Sequence, residues 1–541
     1  MSPILRLTRC RCLLALSVLG VVSQSSIAQV QSVGTSGIST ATATTETVTG
    51  QVVSATTGQP VARALVRLND RAVLTDHDGK FEFPQFAANQ SNNLQVTKPG
   101  FYQSADPFGG GSLFISSGQL ASLLRVRLYP EALLTGTITA PDGTPLPRIV
   151  VSALRSTYND SSHRWMASSQ SSTDSHGNFR LAVPPGEYKI QTRYSPRNSS
   201  FAEAVLPLIV PADTTTTSSG LIHAGSGTEQ HFDLRPAMSR TYGITAEVES
   251  TSERGFPMIT ARSSNGLSFP VAGYGRASGP GEMRLELPSG SYTLIASTNN
   301  SDGLQYGETR VTVTDHDVPG VVLRLARVAP IPVDLAVDPS ATSDNASPAI
   351  QQLGLIFESM QDSLPGDSFQ SGSAGLTTLQ DKTQAFRLAP GSYRLQARNT
   401  GAWYVKSASY GTTDLLAQEM TVAPGAGAAT IRVTVSDKTG ALNGTVSLNG
   451  VPAACYLYLV PSGPSASTVL TVRSANDGSY SFLHLPPGTY RAIAFETRHS
   501  ANYRDPKALE GFSTYVQTLM LEVGDKATLN LEAVADSGLK P

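Results

Sequence analysis

Eight histidines, at positions 77, 163, 176, 223, 231, 316, 484 and 499, are the first place to look for metal chemistry. A zinc hydrolase holds its ion with paired His and Glu side chains on one helical turn plus a more distant ligand. None of the eight is followed by Glu three residues later, and no His-Glu-x-x-His occurs. Asp76 and Asp78 stand at alternate positions in Asp76-His77-Asp78-Gly79, as do Asp315 and Asp317 around His316. Alternating oxygen ligands suit calcium. No downstream Glu completes either loop, so both are read as turn carboxylates that cap exposed amides. Gly366-Asp367-Ser368 has the opening of a hydrolase nucleophile motif, but no Asp-x-x-His follows to supply a base, and it is read as a turn. Gly-x-Ser-x-Gly and phosphate-cradling glycine loops do not occur. The expectation is therefore no catalytic residue, no metal and no cofactor.

Aromatic side chains remain as a chemical handle, because flat apolar faces stack on sugar rings. The chain has two tryptophans. Trp165 lies in a polar stretch with Tyr158, His163 and Arg164, and Trp403-Tyr404 follows Asn399-Thr400-Gly401. Trp165, Tyr158, Trp403 and Tyr404 are the candidate ligand residues. The competing reading is that each ring covers the end of its own core.

What positions these residues is a repeat. Val183-Pro184-Pro185-Gly186-Glu187-Tyr188 returns as Leu287-Pro288-Ser289-Gly290-Ser291-Tyr292, as Leu388-Ala389-Pro390-Gly391-Ser392-Tyr393 and as Leu485-Pro486-Pro487-Gly488-Thr489-Tyr490. The glycines recur about every 100 residues, the size of one sandwich domain and not of a solenoid repeat. Proline lacks an amide donor and ends the strand before it. Glycine takes the backbone setting of a tight corner. Tyrosine opens the next strand, with its ring between two sheets and its hydroxyl free to bond back to the corner. Alternation follows in Tyr188, Ile190 and Thr192, in Tyr292, Leu294 and Ala296, and in Tyr393, Leu395 and Ala397. That period of two predicts strands with one buried face.

Two further features precede the corner. Asp76-His77-Asp78-Gly79-Lys80-Phe81, Asp174-Ser175-His176-Gly177-Asn178-Phe179 and Asn476-Asp477-Gly478-Ser479-Tyr480 are hairpin-turn signals that head a strand. Units open on Gly50-Gln51-Val52-Val53, Gly136-Thr137-Ile138-Thr139 and Gly444-Thr445-Val446-Ser447. Together these units resemble the carboxypeptidase regulatory-like domain, a prealbumin-like β-sandwich. The family pattern is a Gly-x-Val strand, a Thr-Gly-x-Pro-Val turn, an Ala-x-Val strand, a Thr-Asp-x-x-Gly-x-Phe turn and strand, and a Pro-Gly-x-Tyr corner. The first unit matches through Thr75 to Phe81 and departs at Phe86-Ala87-Ala88-Asn89, which lacks the Gly and Tyr. The second matches throughout, the last from opening to corner, and the units around Gly290 and Gly391 keep only the corner and the strands beside it. The resemblance implies no chemistry, and it brings glycan binding only by analogy with starch-binding-like sandwiches.

Arg6, Arg9 and Arg11, the apolar run Leu13 to Val22 and Ser26-Ile27-Ala28 have the layout of a secretory leader cut after Ala28. The run is too short to span a bilayer, and no apolar run of 18 residues follows it. Cys10 and Cys12 leave with the leader, so Cys455 alone remains and is expected to be buried and inert. Net charge is −2 and becomes more negative once the leader arginines are gone, and basic residues never cluster beyond two or three, which excludes nucleic-acid binding.

The predicted organisation is all-β: leader 1–28, a Ser/Thr-rich linker 29–47, then Greek-key sandwiches at 48–130, 131–237, 240–328, 330–436 and 440–535. End to end, five such sandwiches would form a rod on the order of 150–200 Å. The function expected of it is non-catalytic binding, first of a polysaccharide, with adhesion to a cell-envelope protein or a spacer role as the alternative, in the periplasm or outside the cell. An enzyme with a site between domains is the weaker alternative, and the repeated corners leave no room for a membrane barrel.

Overall fold

The computed structural model describes residues 45–535, except 88–90, 105–111, 117–122, 161, 199–201, 212–219, 251–256, 265–266, 271–281, 301–302, 341–352, 361–372, 398–400, 426–428 and 466. The leader, most of the linker and Gly366-Asp367-Ser368 lie outside the described residues.

The chain is all-β and repeats one sandwich plan five times. In each module the first strand has an antiparallel neighbour, which in modules two to five is the strand that leads into the corner, and a parallel neighbour, the last strand. Thr45–Ser54 lies between Lys80–Ala87 and Leu124–Pro130. Ala132–Ile138 lies between Asn178–Val183 and Glu229–Leu234. The same arrangement holds for Thr241–Ser250, flanked by Glu282–Pro288 and Val318–Arg327. It holds again for Ile331–Val337, flanked by Gln384–Phe386 and Ile431–Ser436. In module five, Gly440–Leu448 pairs with Ser479–Leu485 and runs parallel to Lys526–Thr528 and Leu531–Val534. Modules three and four, degenerate in sequence, thus keep the topology. In module three the two sheets are continuous, because Gln305 and Tyr306 pair with Arg327 and Ala326 at one edge.

Alternation produces the cores. Ala132–Ile138 buries every second side chain, and Asn178–Val183 follows suit. Each module has its own cluster of buried apolar residues, such as Leu134, Ile138, Val151, Phe179 and Tyr188 in module two. Cys455 lies in the module five core, where burial pushes its thiol up to about 11, so it stays protonated and unreactive.

The corners form as the sequence predicts. Tyr188, Tyr292, Tyr393 and Tyr490 each sit third in the strand after the bend. Each hydroxyl donates to the carbonyl four residues back: Pro184 at 2.7 Å, Pro288 at 3.0 Å, Ala389 at 2.9 Å and Pro486 at 2.6 Å. Gly186, Gly290, Gly391 and Gly488 share φ values of 154°, 158°, 156° and 150°, which side chains other than glycine rarely adopt.

The threonine of the Thr-Asp-x-x-Gly turn has a role the sequence did not disclose. Thr75 Oγ1 accepts from Ala64 N and donates to Val61 O, both at 2.8 Å. Thr173 Oγ1 accepts from Ile149 N at 2.9 Å and donates to Leu146 O at 2.7 Å. In module five Ser474 does the same for Cys455 N and Ala453 O, at 2.8 and 2.9 Å. These hydroxyls are buried and tie the irregular segment after the opening strand to the turn.

The modules do not follow one another as a simple row. Tyr194 and Leu206 of module two pack on the module three core, and Arg197 forms a two-pronged pair with Glu286 at 3.0 and 2.9 Å. Module two also reaches modules four and five, and Arg127 of module one pairs with Glu496 of module five. A straight rod would keep the first two modules clear of the last.

Candidate functional site

The feature that departs most from the repeat is a hairpin. In every module an antiparallel pair of strands joins the second sheet, as Leu65–Leu68 does in module one, paired with Arg71–Leu74 on one side and Ser91–Thr97 on the other. In module two the arms of the hairpin, Val150–Asn159 and Ser162–Ser172, are 10 and 11 residues long, against four and four in module one. The inner half pairs with Gly186–Thr192, and the outer half extends past it.

Two of the four predicted ligand residues meet on this extension. Tyr158 pairs with His163 and Ser156 with Trp165 across the hairpin. The Tyr158 and His163 rings lie 5.0 Å apart, and His163 meets the Trp165 ring edge-on at 5.4 Å. Lys189, itself buried, places Nζ 4.9 Å from the Trp165 ring centre, a cation–π contact. Ser156 Oγ lies 3.0 Å from His163 Nε2. The result is a half-buried row of Tyr158, His163 and Trp165 with a cation beside it.

The other pair corrects the expectation. Tyr404 is buried and pairs with Ser436, so its face is not available to a ligand. Trp403 packs against the module four core, as the competing reading had it. The period of two sends Val405, like Trp403, to the module four core and Tyr404 to the other face of the sheet, where it is buried all the same.

The Asp76 carboxylate caps its own turn as read, whereas Asp317 Oδ1 accepts from Gly243 N of the module three opening strand at 2.7 Å. Asp76 Oδ1 accepts from Asp78 N at 2.9 Å and Lys80 N at 2.8 Å, and Asp174 Oδ1 from His176 N and Asn178 N at 2.8 and 2.9 Å. The Asn178 side-chain amide and these backbone amides hold the Asp174 carboxyl below its usual range. Asp76, His77 and Asp78 have ligand atoms close enough to share a cation, and Asp76 Oδ1 also accepts from the two turn amides.

The hairpin tip docks on two other modules. Asp160, at φ 57°, accepts from Arg504 Nε through Oδ2 and from Val469 N at 3.1 Å through Oδ1. Arg164 pairs with Glu358 of module four. Tyr158 N donates to Ser500 Oγ at 3.3 Å. Beside this contact His499 lies flat on Phe495 at 4.3 Å, with Nδ1 2.8 Å from Tyr503 Oη. Burial, reinforced by Arg155 of module two, lowers its pKa from 6.5 to about 4.

The unfolded chain therefore binds the His499 proton more readily than the folded one between pH 6.5 and 4. Stability from the neutral imidazole is complete above pH 6.5 and is lost as pH falls toward 4, by up to roughly 3 kcal/mol. Thermal melts from pH 7.5 to 4 should show module five falling over this window, and His499→Gln should remove that part of the slope. An unchanged slope in the variant would assign the loss to other groups.

Residues 47–114 match the family model described as the carboxypeptidase regulatory-like domain. No curated protein matches the chain. Among solved structures, the chain is similar to the Bacillus anthracis TIE protein, at 10% identity over 90% of this chain and 74% of that one, with a TM-score of 0.17. It is similar to a streptococcal ancillary pilin at 11% identity, over 55% of this chain and 99% of that one, TM-score 0.18. The major pilin subunit of Bacillus cereus aligns at 10% identity over 74% of this chain and 99% of the pilin, TM-score 0.13. Residues 47–114 are thus similar to the carboxypeptidase regulatory-like domain, with the Gly50 opening strand, the Thr75 clamp and the Asp76–Gly79 turn in place.

Proposed function

We propose that the chain is an exported, non-catalytic binding protein of the cell envelope or the extracellular space, and that the module two hairpin takes a carbohydrate. The observation that carries this reading is the Tyr158–His163–Trp165 row on an extension absent from module one, with Lys189 at the Trp165 ring. Sugar rings are apolar on their faces and hydroxylated at their edges. A row of aromatic edges flanked by Ser156 and His163 offers both kinds of contact. No helix among the described residues is long and apolar enough to cross a membrane.

The test is retention of the full chain on immobilised polysaccharides, compared with Trp165→Ala and Trp403→Ala. Loss of the Trp165 ring should weaken retention by about tenfold, the worth of one aromatic contact. Trp403→Ala should leave retention unchanged. If the wild type and the Trp165 variant are both unretained, the carbohydrate reading fails and a protein partner or a spacer role takes its place.

A further inference from the structure

The contact made by the hairpin tip differs in kind from the contacts that build the modules. Among the described residues no apolar cluster spans modules two, four and five, and each keeps its own core. What joins them is polar and desolvated. The Asp160 and Arg504 side chains are 1% and 10% exposed, and Glu358 is 0% exposed opposite Arg164.

Glu358 is not a core residue. Phe357 and Leu395 face the module four core and are paired in register, so Glu358, Arg394 and Gln396 occupy the outer face of the same sheet. They are covered by the hairpin and by the module five segment around Ser467, which bridges to Ala397. The covering is incomplete in hydrogen bonds. Among the described residues, Glu358 Oε2, both amide atoms of Gln396 and Asn502 Oδ1 are buried without a partner in the protein. Closing the contact takes these groups out of bulk water without giving them a protein partner, a cost that opposes the two ion pairs. An apolar interface has no such opposing cost. The junction of modules two and three differs: Tyr194 and Leu206 are seated on the module three core, and its Arg197–Glu286 pair stays partly in solvent.

We infer that the hairpin tip is a latch: Asp160 and Arg164 fasten module two to modules five and four through a contact that opens and closes in the folded protein, while every module keeps its core. Opening frees the outer face of the module four sheet and the hairpin tip together.

Two amides report on the latch directly. Val469 N donates to Asp160, and Tyr158 N donates to Ser500, so both lose protection when the tip lifts. Hydrogen exchange on the full wild-type chain should show these amides exchanging at least 100-fold faster than Ile190 and Ala492, which lie in the cores of modules two and five. In small-angle scattering the full chain carrying Arg164→Ala and Arg504→Ala should have a larger radius of gyration than the wild type, with an unchanged far-ultraviolet dichroism spectrum. Protection of Val469 and Tyr158 equal to that of Ile190 and Ala492 overturns the proposal. So does an unchanged radius in the folded double variant. If the double variant does not fold, the exchange measurement on the wild type decides alone.

Discussion

Gly177→Ala is expected to lower the melting temperature of module two by more than ~10 °C, while Gly143→Ala in the same module costs a fraction of that. Both glycines have positive φ, 78° and 87°, where an L side chain is strained by about 1–2 kcal/mol. They differ in what a side chain would meet. A Cβ on Gly143 finds nothing within 4 Å, whereas a Cβ on Gly177 would stand 2.5 Å from the carbonyl oxygen of Ile138. That oxygen belongs to the opening strand, and Ile138 N donates to Gly177 O at 2.8 Å, so turn and strand cannot part without losing this bond. The added cost brings Gly177→Ala to roughly 3 kcal/mol or more, and for a domain of ~100 residues each kcal/mol moves the midpoint by about 4–8 °C. Gly79 and Gly478 repeat the geometry, with Val52 O at 2.4 Å and Val446 O at 2.3 Å, so the same substitution there should strike modules one and five. Calorimetry of the full chain, with hydrogen exchange to assign each transition to its module, is the measurement. Equal shifts for Gly177→Ala and Gly143→Ala would show that the turn does not depend on the close approach.

Such local devices are what one chain's letters make readable. The Asp-Gly turn and the Pro-Gly-x-Tyr corner depend on residues within five positions of one another, so their spacing carries the geometry, and all four corner tyrosines bond as their position requires. The opening glycines were visible as a motif, but their reason was not. A Cβ on Gly136 would lie 1.9 Å from Phe232 O, nearly 100 residues along the chain. The Thr173 clamp joins Leu146 and Ile149 across a distance that no periodicity encodes. The hairpin shows the limit most clearly. Tyr158 and Trp165 could be grouped from sequence because a hairpin brings near neighbours together. Asp160 looks like an ordinary turn residue until Arg504 and Val469 are seen against it. Trp403 and Tyr404 look alike as candidates because adjacent letters do not say which side of the sheet is inward.

Tyr188 separates the two parts of the corner, its ring and its hydroxyl. The side chain is fully buried in the module two core, with the Arg155 guanidinium 6.0 Å from its ring. Tyr188→Phe keeps the ring and removes one hydrogen bond, leaving the Pro184 carbonyl unpaired, at a cost of about 1–2 kcal/mol. Tyr188→Ala also removes the ring and opens a cavity between the sheets, at a cost of about 3–5 kcal/mol, a large share of the roughly 5–15 kcal/mol that holds a domain folded. Alkali supplies an independent reading of the hydroxyl. Burial raises the phenol pKa at Tyr188, and it raises Tyr292 and Tyr393 to about 12 from 10. A raised pKa means that the folded corner holds its proton where the unfolded chain has released it. The corner's contribution is therefore complete below pH 10 and is lost as pH climbs from 10 toward 12. Denaturation curves between pH 8 and 12 should steepen above 10 in the wild type, and each Tyr→Phe substitution should remove one module's share of that loss. If Tyr188→Phe destabilises as much as Tyr188→Ala, the ring contributes nothing that the bond does not, and the corner is a hydrogen-bonded bend and not an anchor of the core.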